Sequence, residues 1–181
     1  NGPLAAGVAL VTWASYLFAY TPLKTRTSLS TIVGAFPGAL PPVIGWAAAR
    51  GTLDGGAFVL FAILFLWQIP HSLAIAWLYR DDYARAGLRL LPVVAPDGAS
   101  TGRQIVTHCL ALLAVGLLPT LTGMTGPLYF MVALVLGVGF LGFGIDLARS
   151  YTTAAARRLL FASLVYLPLM FMLMAWDKVP R

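Results

Sequence analysis

The 181-residue chain contains no glutamate, and its six acidic residues are all aspartates: Asp54, Asp81, Asp82, Asp97, Asp146 and Asp177. Charged residues make up only 10% of the chain, against about 25% in an ordinary soluble domain. A soluble fold needs polar side chains to cover its surface, so this scarcity excludes one. A single cysteine, Cys109, excludes an intrachain disulfide, and no CxxCH stretch offers covalent haem attachment. No internal repeat or low-complexity tract stands out. The basic residues are scattered between apolar runs rather than interleaved with aromatics on one face, which excludes nucleic acid as a partner.

What the chain has instead is apolar length. It is 60% hydrophobic, with a mean hydropathy of +0.86. A helix crossing a bilayer needs about 20 mostly apolar residues, because each contributes about 1.5 Å to a core about 30 Å thick. Six stretches qualify: Pro3–Tyr20, Thr31–Ala49, Gly56–Tyr79, Gln104–Thr122, Pro127–Leu147 and Arg158–Trp176. The fold class expected is therefore an all-α polytopic membrane protein with six transmembrane helices, its partner the lipid bilayer. Alternate loops carry nine basic residues on one side (Lys24, Arg26, Arg80, Arg85, Arg89, Arg103, Arg149, Arg157, Arg158) and three on the other (Arg50, Lys178, Arg181). The richer side is expected to face the cytoplasm, so the N-terminus starts outside. The chain opens on Asn1 with no signal-peptide pattern, and a segment of a longer protein, with an odd number of helices upstream, is the expectation.

Two regions break the apolar monotony. Helix two holds Gly34 and Gly38 at GxxxG spacing together with Pro37, Pro41 and Pro42. Glycines allow close backbone approach and prolines kink or break a helix, so this is either a kinked packing helix or broken backbone beside a polar cavity. The second region is Trp67-Gln68-Ile69-Pro70-His71-Ser72, followed by Tyr79-Arg80-Asp81-Asp82-Tyr83-Ala84-Arg85-Ala86-Gly87. His71 lies about 12 Å below the end of helix three by helical rise. Ionisable groups at such depth are costly and mark function by default, although Gln68 and His71 also suit interhelical hydrogen bonding. If the helix continues, Gln68, His71, Ile75, Leu78 and Asp82 share one face. Asp81 and Asp82 suit Mg²⁺ and the neighbouring arginines suit phosphate oxygens, the pair a diphosphate substrate requires. A solvated loop with internal ion pairs fits the same residues. Asp146 and Arg149 read as an i, i+3 pair, and Cys109 as packing.

These stretches resemble the UbiA-type intramembrane prenyltransferases, specifically their haem-farnesylating branch. The likeness rests on Tyr20-Thr21-Pro22-Leu23-Lys24-Thr25-Arg26-Thr27 with Gly34, Gly38-Ala39-Leu40-Pro41-Pro42 and Gly45-Trp46. It rests further on the WQ-x-PH and YR-x-DY-x3-G combination with Leu91-Pro92-Val93-Val94, and on Ala156-Arg157-Arg158-Leu159 with Tyr166-Leu167-Pro168. The combination of WQ-x-PH followed by YR-x-DY-x3-G is quite specific; the basic loop and Pro-Pro are less so. The resemblance implies the last six helices of a nine-helix bundle, a single transmembrane prenyltransferase domain over 1–181 with three N-terminal helices missing. That odd number agrees with the orientation read from loop charge.

There are departures. The superfamily's first acidic motif, N-x3-D-x3-D, is absent, and no two aspartates here stand four apart; the expectation is that it lies upstream and that this segment alone is inactive. Asp81 stands where Glu is common, Ser72 where Phe is usual, Thr25 where Arg is frequent. The resemblance implies transfer of a farnesyl group from farnesyl diphosphate to a vinyl group of haem B, giving haem O, in a bacterial inner membrane, with a haem A synthase as downstream partner. It assigns Lys24, Arg26, Arg80 and Asp82 to catalysis, Gln68, His71, Tyr79, Tyr83 and Arg85 to substrate binding, and Asp82 with Asp81 to Mg²⁺. Alternatives that stay open are a relative acting on an aromatic or quinone precursor, and a transporter segment lined by helix two and His71.

Overall fold

The computed structural model describes residues 2–179; Asn1, Pro180 and Arg181 lie outside the described residues, and with Arg181 goes one of the three basic residues assigned to the sparser side. Among the described residues, six helical segments are long and apolar enough to cross a membrane: Gly2–Leu23, Ser30–Arg50, Gly55–Leu78, Ala99–Leu121, Pro127–Ser150 and Thr153–Trp176. They are called here the first to sixth spans. Each expected helix is present. The fourth and sixth begin five residues earlier than their apolar runs, because Ala99–Arg103 and Thr153–Arg157 continue the helix through stretches broken by small, hydroxyl or basic residues that lie outside those runs.

Spans three to six form a bundle, with Ile63 and Leu73, Ile105 and Leu112, Tyr129 and Phe140, and Leu159 and Met170 buried between them. Lipid tails are as apolar as leucine, so close packing and hydrogen bonds, not burial alone, hold such helices together. Both devices are present. Gly137 of span five receives Leu113 and Gly144 receives Cys109, so small residues set the approach of spans four and five. Tyr129 donates its hydroxyl to the Gly116 carbonyl at 3.0 Å, and Trp77 donates its indole N–H to the Tyr151 carbonyl at 3.2 Å. Span one packs on span two and span two on span three, forming a second cluster that buries Val8, Leu40, Val43 and Ala57. Leu10, Phe18, Phe58, Val135 and Phe161 are left exposed on the outside of the molecule, where a bilayer would cover them.

Side chains close the helix ends. Asp54 accepts from the Gly56 N–H at 2.9 Å to start span three, and Thr152 accepts from Ala155 at 3.2 Å to start span six. Span five is capped from a distance: Asp177, beyond the end of span six, accepts from the Tyr129 N–H at 2.7 Å through its side chain and from Gly126 at 2.8 Å through its carbonyl. Asp146 pairs with Arg158 of span six at 2.7 Å, correcting the expected partner Arg149, which sits exposed one turn along. Tertiary approach of the two span ends offers a doubly donating guanidinium that the local i, i+3 geometry does not match.

Both irregular segments have a proline cause. Span two stops at Gly38, turns through Ala39 and Leu40, and restarts with Pro41 at its first position. Pro41 and Pro42 have no N–H to offer a continuing helix, while Ala39 and Leu40 still donate to Ala35 and Pro37, so no donor of the turn is lost. Span one widens into a π-helical segment, Ser15–Tyr20, just before Pro22. The pyrrolidine would crowd the Phe18 carbonyl, and the wider turn relieves it; the Thr21 N–H and its hydroxyl both reach back five residues to the Tyr16 carbonyl.

Candidate functional site

The widened turn has a geometric consequence: it brings Tyr16 and Tyr20 onto one side, with ring centroids 5.0 Å apart. These rings wall a cavity of about 310 Å³ at the end of spans one to three that carries the basic loops. Span two contributes Thr31, Gly34 and Gly38; span three contributes Gln68, Ser72 and Ile75; Lys24 and Tyr83 close it from the loops. The two glycines are not the close backbone contact that GxxxG spacing suggests. A Cβ on Gly34 would sit 2.6 Å from the Tyr20 ring, and one on Gly38 would collide with Gln68 Oε1, so each glycine makes room for a cavity-wall side chain. Gln68 is held by donating to the Leu64 carbonyl at 3.0 Å and, across the spans, to Ala35 at 3.3 Å.

The roof is built by the segment after span three. Helix Arg80–Arg85 ends in a Schellman turn, with Leu88 N–H on the Tyr83 carbonyl at 3.0 Å and Gly87 N–H on Ala84 at 3.0 Å. Gly87 takes the left-handed conformation this turn requires (φ +70°). The reversal carries Leu88 and Leu90 back to line the cavity, and Arg89 donates its N–H to the Lys24 carbonyl at 3.2 Å, tying the two basic loops together.

Of the residues singled out by sequence, the cavity gathers Lys24, Gln68 and Tyr83. Lys24 is half-buried and makes no ion pair among the described residues. Arg26 is exposed on the same loop. Asp81 and Asp82 are not in the lining; their side chains are 89% and 60% exposed, and each is engaged locally, Asp81 by Arg80 at 3.6 Å and Asp82 by Arg85. Arg80 lies over the Trp77 ring at 5.1 Å, and Tyr79 is exposed. The single face running from Gln68 to Asp82 does not form, because the helix breaks at Tyr79 (φ −113°, ψ 25°). His71 also leaves it: its Nδ1 lies 2.7 Å from Ser163 Oγ of span six, and its ring stacks on Trp67 at 4.6 Å. Span three thus presents two neighbouring faces, about a quarter-turn apart, one with Gln68 and Ser72 and one with Trp67 and His71.

Sequence reasoning did not pick out Tyr16 or Thr31, and it quoted Tyr20 within a resembling stretch without assigning it a role. The i, i+4 tyrosines just before the basic loop were the available signal, but aromatics at a span end read equally as an interfacial belt. A larger cavity, about 600 Å³, opens at the opposite end among Trp46, Arg50, Met174 and Lys178. Pro42 and Trp46 of the quoted stretches border it, but Lys24, Gln68 and Tyr83, which the sequence assigns to the chemistry, line the smaller cavity, so residue placement rather than size selects that one.

A helical bundle with six bilayer-length apolar segments and a polar cavity under basic loops is an integral membrane protein. A family model described as the UbiA prenyltransferase family matches residues 1–174, and the chain belongs to that family. It is 56% identical to the protoheme IX farnesyltransferase of Solibacter usitatus over 97% of this chain, 52% identical to that of Koribacter versatilis over 97%, and 44% identical to that of Myxococcus xanthus over 98%. The chain spans about 60% of the length of these relatives (60%, 59% and 60%). No solved structure matches.

UbiA-family prenyltransferases generally use a divalent metal. Among the described residues no group of three or more His, Cys, Asp or Glu is placed to hold one. Asp81 and Asp82 stand side by side outside the cavity lining, each engaged by a neighbouring arginine.

Proposed function

We propose that this chain belongs to an enzyme that transfers a farnesyl group from farnesyl diphosphate to a vinyl group of haem B, giving haem O. The observation that carries this reading is the cavity itself: Lys24, which has no ion pair among the described residues, lines it with Gln68, Ser72 and two tyrosines under a roof made by the YR-x-DY-x3-G segment. The names of the relatives supply the substrate class.

In this reading the diphosphate head sits at the cavity mouth. Cleavage of the C1–O bond sends its electron pair to the leaving diphosphate. Lys24 stabilises the negative charge developing there, and Arg26, Arg80 and Arg85, which lie outside the lining, add to it once the loops close on the substrate and Arg85 is freed from Asp82. Asp82 with Asp81 would hold the divalent ion, Mg²⁺, which supplies charge neutralisation of the diphosphate. The allylic cation left behind is attacked by the π electrons of a haem vinyl group. Water then adds to the resulting carbocation and loses a proton, leaving a hydroxyethylfarnesyl substituent and free diphosphate. Tyr16 and Tyr20 line the cavity, and the bound substrates, with Leu88 and Leu90 above them, would keep bulk water from the cation until the vinyl group attacks. His71 and Trp67, on the neighbouring face of span three, receive the porphyrin, and the two substrates meet along the edge between the faces. The basic loops face the cytoplasm of a bacterial inner membrane by the positive-inside rule, and haem O passes to a haem A synthase.

The test is product analysis with the full-length protein in lipid. Farnesyl diphosphate plus haem B should yield haem O, and 4-hydroxybenzoate should yield no prenylated product. Replacing Lys24 by Ala should lower kcat/KM for farnesyl diphosphate about 100-fold, the usual cost of removing one charge-stabilising group. Prenylation of the benzoate in place of haem would overturn the assignment.

A further inference from the structure

The environment of His71 is more specific than depth alone conveys. Ser163 is fully buried in span six, and its hydroxyl lies 2.6 Å from the Leu160 carbonyl and 2.7 Å from His71 Nδ1. A hydroxyl has one proton, and a backbone carbonyl can only accept. At 2.6 Å two oxygens repel unless the proton lies between them, so the Ser163 hydrogen goes to Leu160. Its oxygen must then accept from the imidazole, which requires the proton of His71 on Nδ1. The ring plane is fixed as well. Trp67 stacks on it with 19° between planes, and the Trp67 indole N–H is itself anchored to the Ser163 carbonyl at 2.9 Å. Span six therefore grips both aromatic residues through one serine, once by its backbone and once by its side chain.

We infer that Ser163 is a positioning residue that holds His71 as its Nδ1–H tautomer, leaving Nε2 as a bare lone-pair donor for the iron of a metalloporphyrin. The inference rests on the reading that His71 faces the porphyrin, and it deepens it. A histidine that donates one ring N–H to an oxygen while the other nitrogen stays free has the arrangement of a metal-ligating imidazole with its orienting partner. The role it excludes is proton donation from Nε2 by the neutral ring.

The experiment uses the full-length protein in nanodiscs with ¹⁵N-labelled histidine; substitution of His108, the second histidine, assigns the signals. In the unsubstituted protein His71 should show a protonated Nδ1 and an unprotonated Nε2. Ser163→Ala should let the Nε2–H tautomer accumulate and weaken haem B binding about tenfold, the lower end of what loss of an orienting partner costs. Binding of metal-free protoporphyrin IX, which has no iron to ligate, should stay unchanged, and Ser163→Thr, which restores the hydroxyl, should recover both signals. A protonated Nε2 in the unsubstituted protein, or an unaltered tautomer in Ser163→Ala, overturns the inference. If the tautomer behaves as stated but His71→Ala binds haem B normally, the porphyrin-facing reading fails and the tautomer lock stands. An equal loss of haem B and metal-free porphyrin binding in Ser163→Ala would show a packing role in place of iron ligation.

Discussion

Replacing Gly38 by Ala tests the construction of the cavity most directly. In an open helical position alanine gains up to about 1 kcal/mol over glycine. At position 38 the new Cβ would collide with Gln68 Oε1, so the amide must swing out. It then loses the bonds its Nε2 donates to Ala35 at 3.3 Å and Leu64 at 3.0 Å. Each is worth about 1 kcal/mol net, and an off-rotamer Gln68 costs about another 1 kcal/mol. Set against the propensity gain, the substitution should destabilise by about 2 kcal/mol. Gly45, with nothing within 4 Å of its built Cβ, is the internal control and should tolerate alanine without loss. The decisive measurement is a double-mutant cycle by equilibrium unfolding in mixed micelles. Removing the Gln68 amide empties the space, so in a Gln68→Ala background Gly38→Ala should be neutral or stabilising by up to about 1 kcal/mol, a coupling of about 2–3 kcal/mol. Strictly additive costs would refute the reasoning and return Gly38 to the helix–helix contact that its GxxxG spacing suggests.

Two further predictions concern the roof. Gly87→Ala meets no atom within 4 Å, so its cost is the left-handed backbone alone, about 1 kcal/mol, read as a small drop in unfolding midpoint; a neutral outcome would mean that the Schellman turn does not persist. Asp82→Asn should leave folding intact, since the side chain is exposed and its pair with Arg85 is worth under about 1 kcal/mol. Turnover should nevertheless fall at least tenfold and need more Mg²⁺ to saturate, and an unchanged Mg²⁺ titration would remove Asp82 from the metal.

Much of the architecture was legible before any coordinates. Apolar runs of bilayer length leave the chain no other way to satisfy its backbone than as helices, which is why each of the six spans falls where hydropathy puts it. Pro41 and Pro42 likewise dictate a break, because a missing N–H is a local fact. The small and mixed residues at 99–103 and 153–157 gave no such signal, and the helical turns there lie beyond the expected spans. Side-chain direction was the other thing sequence left open. His71 and Gln68 are neighbours by spacing, yet one turns to Ser163 of span six and the other to Ala35 of span two. Asp146 finds Arg158 across a turn instead of Arg149 along its own helix. Tyr16 and Tyr20 become cavity walls only through the π-helical turn before Pro22 and the space left by Gly34. Which helix lies beside which, and at what rotation, is decided by packing among spans far apart in the chain. The apolar pattern fixes that each helix exists, but a nearly uniform apolar surface carries little information about which way it faces.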